Sequence, residues 1–440
     1  MTIRFVISAV LAAGLAMAQT SAPTGKGKAK GKGKAAPVVQ PESFAPLQRH
    51  AVIKDAAVHH DFPDFTITRE LAVWMTFVEH DGKADTLKLA SLDGNKWVIA
   101  ADVSASGVIH QPAIAADHDG GVWCFWSQVN EADVMTLRGR RYLNGTLEEE
   151  VQIAGHAAAG SGFADAGTDA AGRVWVTWQE IRPGHSQVWA RYWTNSKWSE
   201  AVRVSTSSEG GNWEPRIAFS DAQGAWIVYD CSSGSEFNLR LAHVTPEGEV
   251  KDRVLVSTPD YEARASIASD VKGGLWIAAE RGRKQWGLDS RGHEDALGLN
   301  AQKRILLGRY DIEKETFTEV PVPDRGRPTP PPDPSPGYAV NVPSVAVRED
   351  GQVWMSYRYF SRVFWRAAVT RFDPTTGRWG EPAALPDSTM GQDRRQDLHV
   401  GPKGALWVSW ATDQRTTKAS GVAEVHTAMI SHNAGWKELP

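Results

Sequence analysis

Carboxylates, guanidiniums, an imidazole and aromatic rings recur in this chain in two windows around a repeating tryptophan, 10 to 14 residues before it and 4 to 6 after it. One group precedes it: His110, Gln111, Asp165, Trp213, Glu214, Arg216, Glu262, Arg264, Asn341, Arg394, Arg395 and Asp397. The other follows it: Glu79, Gln128, Glu180, Asp230, Glu280, Arg358, Tyr359 and Asp413. A pair of carboxylates at the right separation serves as acid and base in glycoside cleavage. Arginine forks match carboxylate or sulfate groups of an anionic ligand. An imidazole or phenol beside arginine could instead take a proton next to a uronate carboxylate. These chemistries make His110, Asp165, Glu180, Glu214, Arg216, Arg264 and Tyr359 the catalytic candidates. The candidates for holding a ligand are Trp213, Glu262, Glu280, Asn341, Arg358, Arg394, Arg395 and Asp397, with Trp213 and Tyr359 able to stack on sugar faces. For any one of them the bland alternative, a charged strand end that is solvated or paired with a neighbour, stays open.

The elements that must position these residues are set by the repeat. Trp74, Trp123, Trp175, Trp226, Trp276, Trp354 and Trp407 follow one another at intervals of 49, 52, 51, 50, 78 and 53 residues. Most copies read as a short apolar run, then Asp-x-x-Gly, two further residues and the tryptophan. A period of this length is the signature of a propeller or solenoid. In the third copy, Ala164 to Thr168 reads as a strand and Asp169-Ala-Ala-Gly172 as a tight turn. Arg173 to Gln179, Val188 to Trp193 and Trp198 to Val204 read as three more strands, rich in β-branched and aromatic residues. Four short antiparallel strands make one blade. The expected fold is therefore all-β, a seven-bladed β-propeller of four-stranded antiparallel blades. A second large residue, Trp97, Trp198, Trp379 or Trp436, opens the fourth strand, where other copies have Leu147, Val250 and Phe317. The ring is expected to close through either Ala51 to Val58 or Trp436 to Pro440. The turns within the repeat are short, so binding belongs with the variable loops of the opposite face. Two of these are long: an insertion at 281–303 and a proline-rich one at 321–341, and together they make the 78-residue interval.

The repeats resemble those of sialidase-like, Asp-box (BNR-type) β-propellers. The fragments that carry the resemblance are Ser220-Asp221-Ala-Gln-Gly224-Ala-Trp226 and Ser269-Asp270-Val-Lys-Gly273-Gly-Leu-Trp276. The resemblance spans roughly residues 60–440. It implies a propeller and a carbohydrate-active protein, either a glycoside hydrolase or a polysaccharide lyase. A non-catalytic module that binds glycan or protein is the alternative. In sialidases the Asp-box joins the third and fourth strands of a blade; here the element joins the first and second. No arginine triad with a tyrosine–glutamate pair maps onto this chain.

The termini and composition bound the rest. Residues 1–18 read as a bacterial-type signal peptide, with Arg4, an apolar stretch from Phe5 to Leu15 and the small-residue site Ala16-Met17-Ala18. Residues 19–47 read as a disordered linker rich in glycine, lysine and proline. Residues 48–440 form the propeller, expected to be a secreted or periplasmic monomer without a membrane span. The formal net charge is −4; without Arg4 and the lysines at 26, 28, 30, 32 and 34 it falls to −10. An acidic body argues against nucleic acid as a partner. The expected partner is a polysaccharide or other glycan. Cys124 and Cys231 fall in non-adjacent copies and are expected to be free thiols. No cofactor and no metal are predicted; His59-His60-Asp61 and His293-Glu294-Asp295 are read as solvated loops rather than metal ligands.

Overall fold

The computed structural model describes residues 45–440, apart from 156–158, 183–184, 207–209, 234–235, 271, 283–302, 324–339, 362–363, 389–395, 414–421, 432–435 and 437–440. The signal peptide, most of the linker and the interiors of both long insertions lie outside the described residues. All described residues belong to one compact unit, Val39–Pro440.

The architecture is an all-β propeller. The first sheet runs outward through His59–Ile67, Val73–His80, Asp85–Asp93 and Lys96–Asp102. The second begins with Ile109–Ala116, Val122–Val129 and Met135–Leu143, and the third with Gly160–Thr168, Val174–Arg182 and His185–Thr194. Short outer strands complete both sheets; in the third they are Lys197–Trp198 and Val202–Arg203. The proline-flanked sheet is Val340–Val347, Val353–Ser361 and Phe364–Asp373, again with short outer strands. The last sheet runs Asp397–Val400, Leu406–Thr412 and Glu424–Ile430, and its fourth strand is Leu47–Ile53 from the other end of the chain. The N-terminal segment therefore closes this sheet, a few residues earlier than the expected Ala51 to Val58.

The expectation of seven separate blades needs correction. Five sheets stand alone as blades. The sixth sheet has eight strands and joins two four-stranded antiparallel arrays. The first array is Gly211–Ala218, Ala225–Ser233, Glu236–Val244 and Val250–Val256; the second is Tyr261–Ser269, Gly274–Gly282, Arg304–Asp311 and Thr316–Val320. A single parallel bridge, Phe237 to Tyr261, connects them. We call them the fourth and fifth arrays.

Local chemistry explains the repeat. In the turns after the inner strands, Asp117, Asp169 and Asp270 each accept backbone N–H groups from two residues of the turn. This is the side-chain turn that short polar residues favour. Glycines 120, 172 and 273 take the left-handed conformation there. The repeat tryptophans sit on the second strands and fill the spaces between neighbouring arrays, as Trp123 does against Trp193 and Trp198. Successive turns also reach one another: Arg69 to His118 at 2.6 Å, and Arg348 to the Gly404 carbonyl at 3.1 Å. Cys124 and Cys231 are both buried free thiols. Among the described residues, no helix is long and apolar enough to cross a membrane.

Candidate functional site

Six inner strands share one irregularity that shapes the candidate site. Their pairing slips at Asp61/Asp64, His110/Ala113, Gly162/Asp165, Trp213/Arg216, Ala263/Ser266 and Asn341/Ser344. At each slip one residue has positive φ: Phe62, Gln111, Phe163, Glu214, Arg264 and Val342. Such bulges bend a strand and re-aim side chains, and they collect at barrel rims and binding sites. Non-glycine residues held at positive φ store strain that the surroundings must over-determine.

The surroundings do so through two tiers of side chains, each bonding the backbone of the next inner strand. In the deeper tier, Asp64 accepts the Ile114 amide at 3.0 Å and Asp165 the Ile217 amide at 2.9 Å. Ser266 and Ser344 accept the amides of Val345 and Leu398, both at 3.1 Å. Ser344 also donates to Asp397 at 2.9 Å, and Arg216 donates to Asp165 at 3.3 Å. Burial, then the nearby Asp397 and Asp165 charges, push the Asp64 carboxyl well above its ordinary range. Burial pulls the Arg216 guanidinium down, but Asp165, Asp397 and Asp64 outweigh it and hold it above its usual value. His399 is pushed down by burial, against Asp397 and Asp165.

In the upper tier the acceptors lie four residues after the tryptophan and the donors are the strained bulge amides. Gln179 accepts from Glu214 at 3.4 Å. Asp230 receives the Arg264 amide with both carboxylate oxygens at 2.9 Å. Glu280 accepts from Val342 at 2.8 Å. Glu280 is fully buried and is also paired with the Lys303 ammonium. Burial raises its pKa, but Lys303 and Arg264 outweigh that and hold it below the usual range. Asp230 is also buried, and desolvation pushes it up to about 7 against the Arg264 amide and charge.

On this platform sits the accessible part of the site. Arg264 bridges two carboxylates, with Nε 3.9 Å from Glu214 and Nη1 3.7 Å from Glu280. Two carboxylates thus flank one guanidinium, whose several N–H donors can serve both. The Glu214 and Arg264 side chains are 20% and 28% exposed, whereas Glu280 has no exposed surface. Trp213 directly precedes Glu214 on the same strand, and its ring lies 6.0 Å from that of Phe237.

The remaining candidates fall into separate groups. Glu262 is buried, accepting from Thr258 at 2.5 Å and Arg281 at 3.0 Å, while Arg281 also forks onto Glu319. Asn341 accepts from the buried Arg358, whose guanidinium lies 4.7 Å from the Trp365 ring centre. Tyr359 is shifted up by burial, opposed by Arg366. Glu180 pairs with Arg182 at 2.7 Å. His110 is on the inner strand of the second sheet; burial pushes it down, opposed by Asp85 of the first sheet. Glu79 bonds His60 and Lys88, both at 3.2 Å. Arg394 and Arg395 lie outside the described residues, as does His293-Glu294-Asp295. The structure thus brings together Glu214, Arg264 and Glu280, with Trp213 next to Glu214 in the chain and with Arg216 paired to Asp165 in the tier below. Sequence reasoning passed over Gln179, Lys303 and Phe237. Counting four residues on from Trp175, as from Trp226 and Trp276, would have picked Gln179 instead of Glu180. Among the described residues, no group of histidines, cysteines and carboxylates is arranged to hold a metal ion.

No family model and no curated protein sequence matches this chain. Solved structures do resemble it. An α-L-arabinanase from Penicillium chrysogenum has 9% identity and a TM-score of 0.48, over 90% of this chain and 100% of the other. A sialidase from Trypanosoma rangeli has 11% identity and a TM-score of 0.46, over 76% of this chain and 59% of the other. A protein of unknown function from Dyadobacter fermentans has 11% identity and a TM-score of 0.45, over 76% of this chain and 99% of the other. Likeness at this level carries no functional argument, and the propeller assignment rests on the strand pairing.

Proposed function

We propose that this is an exported, monomeric, carbohydrate-active propeller that holds a glycan around Trp213, Glu214 and Arg264. One observation carries the reading: a partly exposed carboxylate and guanidinium, 3.9 Å apart, are held on strained bulges by the side chains of Gln179 and Asp230, and Trp213 precedes that carboxylate on the same strand. A few fixed polar groups beside an aromatic surface suit a hydroxyl-rich ligand. Other carboxylates of the candidate set, Asp165, Glu180, Glu262 and Glu280, are each paired with a nearby Arg or Lys, which favours holding a ligand over cleaving it. The propeller is taken as seven-bladed, with the eight-stranded sheet counted as two blades, because among the described residues its arrays share only one bridge.

A second reading, glycoside hydrolase or polysaccharide lyase, is favoured by the two carboxylates set against Arg264. Glu214 would then be the reacting carboxylate, since Glu280 is committed to Val342 and Lys303. The test is incubation with neutral, uronic and sulfated polysaccharides, followed by affinity electrophoresis, reducing-end assay and ultraviolet absorbance. Retention without new ends supports the binding reading. New reducing ends without absorbance mean a hydrolase, and with absorbance a lyase; either is expected to vanish in Glu214→Gln. Neither retention nor cleavage of any polysaccharide would refute both readings.

A further inference from the structure

We propose that Trp213 and Phe237 form a stacking platform for the C–H face of a sugar ring, over the seam between the fourth and fifth arrays. This rests on the glycan reading above and deepens it, because it names what the ligand must offer: an unsubstituted ring face, with hydroxyls directed towards Glu214 and Arg264.

Three rings meet at the seam. Trp213 and Phe237 are near parallel, with centroids 6.0 Å apart and planes 29° from each other. Phe237 and Tyr261 follow at 5.1 Å and 55°. The backbones of Phe237 and Tyr261 form the parallel bridge that fuses the two arrays, so the bridge fixes the ring spacing. Tyr261 is buried and backs the platform, with the Lys303 ammonium 5.4 Å from its ring centre. Trp213 and Phe237 are only half-buried. None of the three belongs to the seven apolar clusters formed by the described residues. A purely structural role is therefore a poor account of Trp213 and Phe237, since the large aromatics of the repeat fill those clusters.

The platform is also held in place. A Cβ on Gly211 would lie 2.1 Å from the Trp213 ring. The benzo part of the indole thus takes the space a side chain at Gly211 would need. A pre-set aromatic surface loses little freedom when a ligand stacks on it. Trp213 directly precedes the strained Glu214, so the stacking face and the polar contact are placed by the same bulge.

The test uses hexasaccharides of glucose, xylose, arabinose and galacturonic acid, titrated calorimetrically against wild type, Trp213→Ala, Trp213→Phe, Phe237→Leu and Gly211→Ala. Aromatic stacking predicts affinity lower by about three- to tenfold in Trp213→Ala and in Gly211→Ala, with partial recovery in Trp213→Phe. Gly211→Ala displaces the ring without removing it, so it carries the test even where Trp213→Ala fails to fold. A hexasaccharide bound equally by wild type, Trp213→Ala and Gly211→Ala would overturn the platform and leave the glycan reading standing. No binding of any hexasaccharide by wild type would overturn both.

Discussion

Asp230→Asn is expected to stabilise the protein above neutral pH and to do nothing of the kind in acid. Asp230 is buried, and desolvation is the largest influence on it, lifting its carboxyl from an ordinary 3.8 to about 7. An acid with a raised folded-state pKa contributes stability that is whole below its unfolded value. That stability is lost as the pH climbs through the folded value. The window is therefore pH 4 to 7, and the gap corresponds to about 4 kcal/mol lost by pH 8. Asparagine has nearly the same shape, stays neutral and keeps one oxygen to accept the Arg264 amide that Asp230 now holds. The neighbouring charges, Arg264, Glu280 with its Lys303, and the Cys231 thiol, remain in the variant. The assay is urea unfolding of wild type and variant at a series of pH values from 4 to 8. Wild type should lose stability relative to the variant as pH rises, and the gap should be widest at pH 8. A gap independent of pH, or a variant less stable than wild type at pH 8, would refute the placing of Asp230 as a buried acid titrating near neutrality.

Three further predictions concern the framework. Lys303→Met leaves Glu280 buried without its ammonium, and should cost about 3–5 kcal/mol in chemical denaturation. Gly224 has φ of +130°, and a Cβ there would meet the Val244 carbonyl oxygen at 2.1 Å, so Gly224→Ala should lower the melting temperature while Gly273→Ala, with open space around its Cβ, lowers it less. Deletion of residues 47–53 removes the fourth strand of the last sheet and exposes the edge of Glu424–Ile430. The truncated protein should melt earlier and aggregate at concentrations where the full chain stays dispersed, as light scattering would report; unchanged melting would show that this strand does not hold the sheet closed.

Much of the scaffold was legible in the residues. The tryptophan period and the Asp-x-x-Gly turns depend on contacts within about ten residues, and such local chemistry repeats wherever the motif does. Even the bulges left a trace. Pro63, Pro112, Pro215 and Pro343 each stand eleven residues before a repeat tryptophan, where other copies have Ala164, Ala265 and Gln396. A proline at a fixed place inside a strand marks an unpaired amide, which is what a bulge supplies.

The site was legible only as a crowd of residues. The repeat assigned Glu214, Arg264, Glu280 and Arg358 to equivalent ends of strands, and by itself determined the all-β repeat. It could not separate the partly exposed Glu214 from the buried Glu280, because that depends on Lys303, across an insertion, and on the Val342 amide of the next sheet. Nor could it foresee the bridge between Phe237 and Tyr261, or that Leu47–Ile53 completes the last sheet. These are contacts between arrays. They depend on how each sheet twists and meets its neighbour, and a one-dimensional period carries no distance between units. Tertiary structure alone decided which charges are spent on holding the propeller together and which remain at its surface.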